Sequence, residues 1–252
     1  MRNFFCTLSY LGHSYHGFER QKQYKTVQGE IERALSELIG VPSQIHGAGR
    51  TDAGVNAKGQ TFSFFADKDL MKSKDRFLYS FNRLLPSDIS VLSLAEVPLG
   101  FDARHSCSGK RYSYSFSIGP KDPYKAFTVA CLGIRPFDYD SFSSSLSSCI
   151  GLHDFRDFTT KPDDKDDFCR DIKKIDITYE EISPSSKETH ITFVSNGFMT
   201  YQVRIMVGAA LKVGLGKLSV SDYVKHLSPL TRSIISFKAP AEGLTLEEVY
   251  YE

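Results

Sequence analysis

The first half of the chain alternates between segments typical of strands and segments with the helical period of apolar residues. The strand segments cover residues 3–10, 60–66 and 89–97, and the helical segments cover residues 26–40 and 74–85. Thr26 stands where a side chain can cap the first helix, and Gly40 stands where that helix ends. The predicted order is strand, helix, strand, helix, strand.

The second half repeats this alternation. Strands are predicted over residues 111–118, 126–132, 172–182, 189–195 and 243–250, and helices over residues 141–150, 199–213 and a short segment capped by Ser221. Residues 159–167 are charged and have no period, which predicts a mobile surface loop. We therefore predict an α+β fold of two similar halves, residues 1–102 and 103–252, which share a central, mostly antiparallel sheet with a cleft between them.

Composition narrows the class of protein. The 252 residues are 41% hydrophobic and 24% charged, which is ordinary for a globular protein, and the net charge is only +1. Nucleic-acid binding would therefore need a local basic patch. The five cysteines are widely spaced and form no Cys-x-x-Cys pair, which argues against a disulfide framework or a zinc site and favours the cytoplasm. No apolar run approaches the length of a membrane span.

The stretch at residues 47–60, Gly-Ala-Gly-Arg-Thr-Asp-Ala-Gly-Val-Asn-Ala-Lys-Gly-Gln, carries the most chemistry. Asp52 stands among small residues, and the glycines allow positive φ angles and the close approach of a large ligand. Arg50 can keep a neighbouring carboxylate ionised or bind an anion. The spacing is neither that of a dinucleotide loop nor that of a P-loop. The alternatives are a structural turn and a carboxylate that acts as nucleophile or base on a bulky, anionic substrate.

Basic residues surround a tyrosine in the second half. Lys110 and Arg111 are candidates for phosphate contacts, as are Arg104 before them and Lys58 after the aspartate. Tyr112 could stack on a base at the mouth of a strand; the alternative is a core-facing tyrosine at the start of that strand.

Arg204 is predicted in the first turn of the helix at residues 199–213, among apolar neighbours. A helix N-terminus favours acids over bases, and a partly buried arginine usually needs a carboxylate partner, for which Asp52 is a candidate. The alternative is an exposed arginine on the outer face of the helix.

In order along the chain, these motifs resemble the tRNA pseudouridine synthase A family: Gly-Ala-Gly-Arg-Thr-Asp-Ala-Gly-Val at 47–55, Lys-Arg-Tyr-Ser-Tyr at 110–114 and Val-Arg at 203–204. Stretches at 26–28, 82–89, 151–155 and 240–244 also fit, so the resemblance covers essentially the whole chain.

The resemblance implies the pseudouridine synthase fold and an isomerase that converts uridine to pseudouridine at positions 38–40 of the tRNA anticodon stem-loop. It implies no metal or cofactor, and a homodimer with one tRNA crossing both subunits. By position, it makes Asp52 the essential carboxylate, packs Tyr112 against the target base and pairs Arg204 with Asp52. Arg50 would help to hold the place of the flipped nucleotide in the stem.

The chain departs from the family at several positions. Asn56 stands where a histidine is usual, Phe18-Glu19 where Trp-Gln is common, and residues 200–202 are Thr-Tyr-Gln where histidines are frequent. These changes leave open which uridines are modified. Alternative hypotheses are the same chemistry on a different RNA, a non-catalytic RNA-binding homologue, and a small enzyme that binds phosphate ligands through the glycine-rich stretch.

Overall fold

The computed structural model describes residues 1–160, 167–228, 233 and 235–252. The strands are β1 (Arg2–Tyr10), β2 (His46–Gly47), β3 (Asn56–Ala66), β4 (Ile89–Val97), β5 (Cys107–Ile118), β6 (Ala130–Cys131), β7 (Gly151–Asp154), β8 (Cys169–Ser183), β9 (Ser186–Ser195) and β10 (Leu244–Tyr251). The helices are α1 (Val27–Ile39), α2 (Lys74–Leu84), α3 (Tyr139–Ser147), α4 (Gln202–Gly214) and α5 (Val220–Lys225). This mixture of strands and helices confirms the predicted α+β class.

The chain forms two compact units. The first unit contains Met1–Ser108 and Thr245–Glu252, and the second contains Gly109–Leu244. These bounds differ from the predicted halves chiefly at the end of the chain, because β10 pairs in parallel with β3 and so belongs to the first unit.

In the first unit the strand order is β4-β1-β3-β10, with β2 also paired to β3. All of these pairs are antiparallel except β3 with β10. Alternate residues of β1 are buried, including Phe4, Cys6 and Leu8. This alternation is the pattern expected of a strand with one face on the core.

Helix α1 begins and ends where the sequence predicts. The Thr26 hydroxyl accepts a hydrogen bond from the Gly29 N–H, which satisfies one of the unpaired donors of the first turn. Gly40 ends the helix in the left-handed conformation, at φ 86°. The buried side chains Val27, Ile31 and Leu35 lie on one face of the helix.

In the second unit the strand order is β5-β9-β8-β7, all antiparallel, and β6 adds a short parallel pair to β5. Helix α4 packs against α3 and α5. Its residues are buried apart from Arg204 and Lys212, which are half-buried. An almost wholly apolar helix of this kind belongs to the core. Arg204 and Lys212 are its two charged side chains, and both are more exposed than their neighbours on the helix.

Several predicted boundaries were wrong. The strand predicted at residues 126–132 is reduced to β6, because a turn that begins at Pro123 and is capped by the Asp122 side chain occupies the residues before it. Strand β3 begins at Asn56 and β5 at Cys107, four residues earlier than predicted in each case. Helix α4 begins at Gln202, after a turn, instead of at residue 199. Ser219, not Ser221, caps α5.

Two short strands were missed. Strand β2 is only two residues long and strand β7 only four, and they are defined by their pairing with β3 and β8, respectively. Most of the loop predicted at residues 159–167 lies outside the described residues, at 161–166.

Among the helices that the structure describes, each is too short or too polar to cross a membrane.

Candidate active site

Asp52 lies in the loop of residues 48–55, between β2 and β3, which we call the Asp52 loop. Its first part is tied to β3: the Ala48 N–H donates to the Thr61 carbonyl at 2.9 Å, and the Gln60 side-chain amide donates to the Gly49 carbonyl at 3.0 Å. Its second part closes on itself through the Val55 N–H and the Asp52 carbonyl, 3.1 Å apart. The glycine-rich loop is therefore held at both ends by hydrogen bonds.

A hydrogen bond between two buried hydroxyls holds the backbone of the loop next to Asp52. The Tyr10 and Thr51 hydroxyl oxygens are 2.8 Å apart, and both side chains are buried. Burial raises the pKa of Tyr10, so its phenol keeps its proton at neutral pH. Because Thr51 directly precedes Asp52, this hydrogen bond fixes the backbone from which the half-buried Asp52 projects.

A second segment, residues 12–18, packs on the other side of the Asp52 loop. The Phe18 N–H donates to the Thr51 carbonyl at 3.1 Å, and the Gly54 N–H donates to the Tyr15 carbonyl at 3.3 Å. At Gly17, φ is +93° and an added Cβ would lie 2.7 Å from the Thr51 carbonyl oxygen. Only glycine combines this conformation with this close approach.

Two of the residues that depart from the family pattern, Phe18 and Asn56, lie among the buried residues that hold the Asp52 loop. Phe18 is buried, and its ring lies so close to Gly47 that a Cβ there would be 2.3 Å from it. Asn56 is also buried, and its Oδ1 accepts a hydrogen bond from the Gly12 N–H at 2.8 Å. Both residues therefore belong to the interior that holds the Asp52 loop, and not to the outer surface of the loop.

Two of the candidate RNA-binding residues form surface ion pairs in the first unit. Arg50 lies 3.2 Å from Glu19, with more than half of each side chain exposed. Lys58 lies 3.0 Å from Glu247. The Glu247 side chain is only 18% exposed, so Lys58 pairs with a mostly buried carboxylate. An exposed pair such as Glu19–Arg50 contributes about 0–1 kcal/mol, so an RNA phosphate could replace the carboxylate at Arg50 at little energetic cost.

Arg104, also exposed, lies in a tight turn before β5. Its backbone N–H and that of His105 both donate to the Asp102 carboxylate at 2.9 Å. Burial opposes ionisation of Asp102, but these hydrogen bonds and the His105 side chain lower its pKa overall. The turn that presents Arg104 is thus held by an ionised carboxylate.

Tyr112 lies in the middle of β5 and not at its start, which corrects the predicted placement. It is buried, faces Phe193 across the β5–β9 pair and contacts the Phe198 ring edge-on, with centroids 5.4 Å apart. Lys110 and Arg111, on the same strand, are half-buried. The stacking of Tyr112 on a base stays a prediction.

Arg204 lies in the first turn of α4, as predicted, and is half-buried instead of exposed on an outer face. Its Nε donates to the Ala239 carbonyl at 2.8 Å, and the Ala239 N–H donates back to the Arg204 carbonyl at 2.9 Å. The guanidinium carbon lies 5.8 Å from the centre of the Tyr201 ring. Backbone and aromatic contacts therefore fix the side chain within the second unit.

The sequence-based reasoning missed the conformation of Tyr201. Among the described residues it alone, other than glycines, has a positive φ, at 63°. Such a conformation costs about 1–3 kcal/mol and is concentrated at functional sites. Lys238 Nζ lies 3.9 Å from the centre of the same ring. The only signal in the sequence was that residues 200–202 depart from the family pattern.

The predicted site residues are divided between the two units. Asp52, Arg50, Lys58 and Arg104 belong to the first unit, and Lys110, Arg111, Tyr112 and Arg204 belong to the second. The pairing of Arg204 with Asp52 stays a prediction.

The hydroxyl pair beneath the Asp52 loop yields a stability test. We expect Tyr10→Phe to lower the free energy of unfolding by about 1–2 kcal/mol, because it removes a buried hydrogen bond. Thr51→Val should have a similar effect, and the double mutant should lose less than the sum of the two, since both changes break the same bond. Urea titration measures all three, with Thr51→Ser as the control that keeps the hydroxyl. Strict additivity would contradict the pairing.

Comparisons with known proteins agree with the motifs. A family model described as tRNA pseudouridine synthase matches residues 146–252. The chain is 36% identical over 255 residues to "tRNA pseudouridine synthase A" of Oenococcus oeni, covering 100% of this chain and 99% of the relative. Relatives of the same name from Acetivibrio thermocellus and Anoxybacillus flavithermus are 35% and 36% identical over 257 and 255 residues, covering 100% of both chains in each case.

A solved structure of an H/ACA RNP bound to a substrate RNA containing 2'-deoxyuridine is a weaker match. It is 11% identical, has a TM-score of 0.40 and covers 84% of this chain and 44% of that chain. The full-length relatives establish the family on their own. This chain belongs to the tRNA pseudouridine synthase A family.

Proposed function

We propose that this chain isomerises uridine to pseudouridine at positions 38–40 of the tRNA anticodon stem-loop, with Asp52 as the reacting carboxylate. The observation that carries the proposal is the identity of 34–36% with relatives named tRNA pseudouridine synthase A over the whole chain. The geometry of the Asp52 loop supports it, since the carboxylate projects, half-buried, from a backbone that both neighbouring segments hold.

The reaction determines what the site must do. The bond between N1 of uracil and the ribose C1′ breaks, the base turns, a bond forms between C5 and C1′, and the proton on C5 leaves while N1 gains one. The target base must leave the helical stack to be turned. The small residues Ala53 and Gly54 beside Asp52 leave room for a nucleotide. Because reactant and product are isomers, the reaction needs no redox partner or group donor, and we propose that it uses no cofactor.

Asp52 has three possible roles: attack on the ribose C1′, attack on the uracil ring, or removal of a ribose proton to give a glycal. Each requires an ionised carboxylate, and a neighbouring guanidinium favours ionisation. We assign this role to Arg204, whose side chain is held by Ala239. Tyr112, buried in the middle of β5, would pack against the uracil.

The remaining cations would bind the RNA backbone. Arg50 would hold the place of the flipped nucleotide, and Lys58, Arg104, Lys110 and Arg111 would contact phosphates. The Glu19–Arg50 pair is exposed enough for a phosphate to take the place of the carboxylate. Lys58 is itself exposed and would bind a phosphate while it stays beside the mostly buried Glu247. We further propose that the enzyme acts in the cytoplasm, as a homodimer with one tRNA crossing both subunits.

The carboxylate is tested by Asp52→Asn, which keeps the shape of the side chain and removes its charge. Tritium release from tRNA that contains 5-tritiated uridine should fall at least about a thousandfold, because the group that starts the reaction is lost. tRNA binding, measured by filter retention, should change less than about threefold. The control is Asp67→Asn, since the Asp67 carboxylate is almost fully exposed and pairs with the N-terminal amine, away from the Asp52 loop in sequence. Wild-type rates in Asp52→Asn would refute the assigned role.

The modified positions are tested with tRNA transcripts that carry uridine singly at 38, 39 or 40, or at none of them. We expect pseudouridine in each of the first three and none in the fourth. Mapping pseudouridine across all RNAs of a deletion strain extends the test to the cell. Sites lost from another RNA, with the anticodon stem-loop unaffected, would favour the alternative that the same chemistry serves a different RNA.

The homodimer is tested by sedimentation equilibrium. We expect a mass twice the 28.3 kDa of the chain, and a complex of two chains with one tRNA when tRNA is titrated in. A monomer that remains fully active at the same concentration would exclude the dimer as the working form.

A further inference from the structure

Tyr201 occupies a position that favours glycine. The Gln202 N–H donates to the Met199 carbonyl at 3.1 Å, which closes a four-residue turn just before α4. Tyr201 is the third residue of this turn, and its angles of φ 63° and ψ 0° are those of the third residue of a type II turn. Glycine or asparagine adopts these angles more easily than a bulky side chain does.

The turn does not depend on the tyrosine ring for its shape. The Gln202 side chain is buried and accepts a hydrogen bond from the Met199 N–H at 2.9 Å. The hydroxyl of Thr159, also buried, donates to the Thr200 carbonyl at 3.0 Å. The backbone carbonyl of Tyr201 accepts the first hydrogen bond of α4, from the Ile205 N–H at 2.9 Å, as any residue could. A smaller side chain at residue 201 would therefore leave these bonds in place.

The ring itself contacts two cations. Lys238 Nζ lies 3.9 Å from its centre and the Arg204 guanidinium carbon 5.8 Å from it, both within the range of cation–π attraction. Lys238 directly precedes Ala239, whose carbonyl accepts from Arg204 Nε and whose N–H donates to the Arg204 carbonyl. The ring thus lies against both the arginine and the segment to which that arginine is bonded.

We propose that Tyr201 is a positioning residue for Arg204. The strained turn places the ring beside the guanidinium, and the ring limits the directions in which Arg204 can point while Ala239 holds its Nε. The lysine on the ring keeps the ring in place. The inference rests on the proposed function, in which Arg204 pairs with the reacting carboxylate. It explains why a tyrosine occupies a position at which glycine would cost less conformational energy.

The experiment compares Tyr201→Gly and Tyr201→Asn, which suit the turn but lack the ring, with Tyr201→Phe, which keeps the ring. For Gly and Asn we expect an unfolding midpoint that is unchanged or raised, because the strain is relieved. We expect kcat for tritium release from tRNA to fall at least about tenfold with KM changed less than about threefold, because the arginine acts on the reacting carboxylate and not on tRNA binding. Tyr201→Phe should keep kcat within about twofold.

The route through the arginine is tested in an Arg204→Lys background. There the loss of the ring should lower kcat less than about threefold, since a lysine has no Nε bond to Ala239 for the ring to support. A tenfold loss in both backgrounds would show that the ring acts elsewhere and would overturn the inference. Three other results would also overturn the inference. They are wild-type kcat in Tyr201→Gly, a clear fall in the unfolding midpoint of both the Gly and Asn variants, and a loss of kcat in Tyr201→Phe as large as in Tyr201→Gly.

Failure of the inference differs from failure of the proposed function. If Arg204→Ala abolishes tritium release while Tyr201→Gly leaves it intact, only the positioning role is refuted. If Arg204→Ala is fully active, the proposed pairing of Arg204 with Asp52 is refuted as well. If the wild-type enzyme releases no tritium from any tRNA, the proposed function itself is wrong.

Discussion

The site depends first on the fixed backbone of the Asp52 loop. A carboxylate that attacks or deprotonates a flipped nucleotide must be placed before the nucleotide arrives, because misplacement by about 1 Å can lower a rate roughly a hundredfold. Glycine-rich loops do not supply such precision by themselves. Here it comes from outside the loop: β3 holds one end, residues 12–18 hold the other, and the buried Tyr10–Thr51 hydroxyl pair fixes the residue before Asp52.

This dependence gives the family departures a physical meaning. Phe18 and Asn56 are both buried, one packed on Gly47 and the other bonded to the Gly12 N–H. They change the packing and hydrogen bonding that hold the Asp52 loop, and not the surface proposed to bind RNA. Among the departures in this unit, Glu19 differs, because it lies at the surface and pairs with Arg50. Differences in RNA contact between this chain and its relatives would therefore arise at Glu19 sooner than at Asn56.

The parts of the fold that were predictable are those specified by neighbouring residues. Helix α1 followed from a threonine cap, an apolar face and a terminal glycine, which are all local signals. Strand β6 and strand β7 were misjudged or missed because their lengths are set by pairing with distant strands and by the turn at Pro123.

The same distinction holds for the candidate site. Motifs indicated the residue types at Asp52, Arg50 and Arg204, and the apolar pattern around Arg204 predicted that it lies near the start of a helix. The strained turn at Tyr201 could not be predicted from the sequence, because the local backbone conformation favours glycine and the residue there is a tyrosine. It persists because two buried side chains, Thr159 and Gln202, form hydrogen bonds with the backbone of the turn.

The near-neutral charge of the chain is compatible with RNA binding once the local pairs are considered. At Arg50 and Lys58 the positive charge is already matched by Glu19 and Glu247. In the proposed complex an RNA phosphate would displace the exposed Glu19 carboxylate at Arg50 and would share Lys58 with Glu247, in addition to releasing the counterions condensed on the RNA. Each such contact would be weaker than one made by an unpaired cation, because the carboxylate competes for the same charge. In the proposed complex, affinity would therefore rest more on the shape of the folded tRNA and on the flipped base than on these two cations, which is the balance expected of an enzyme that selects a few uridines and then releases its product.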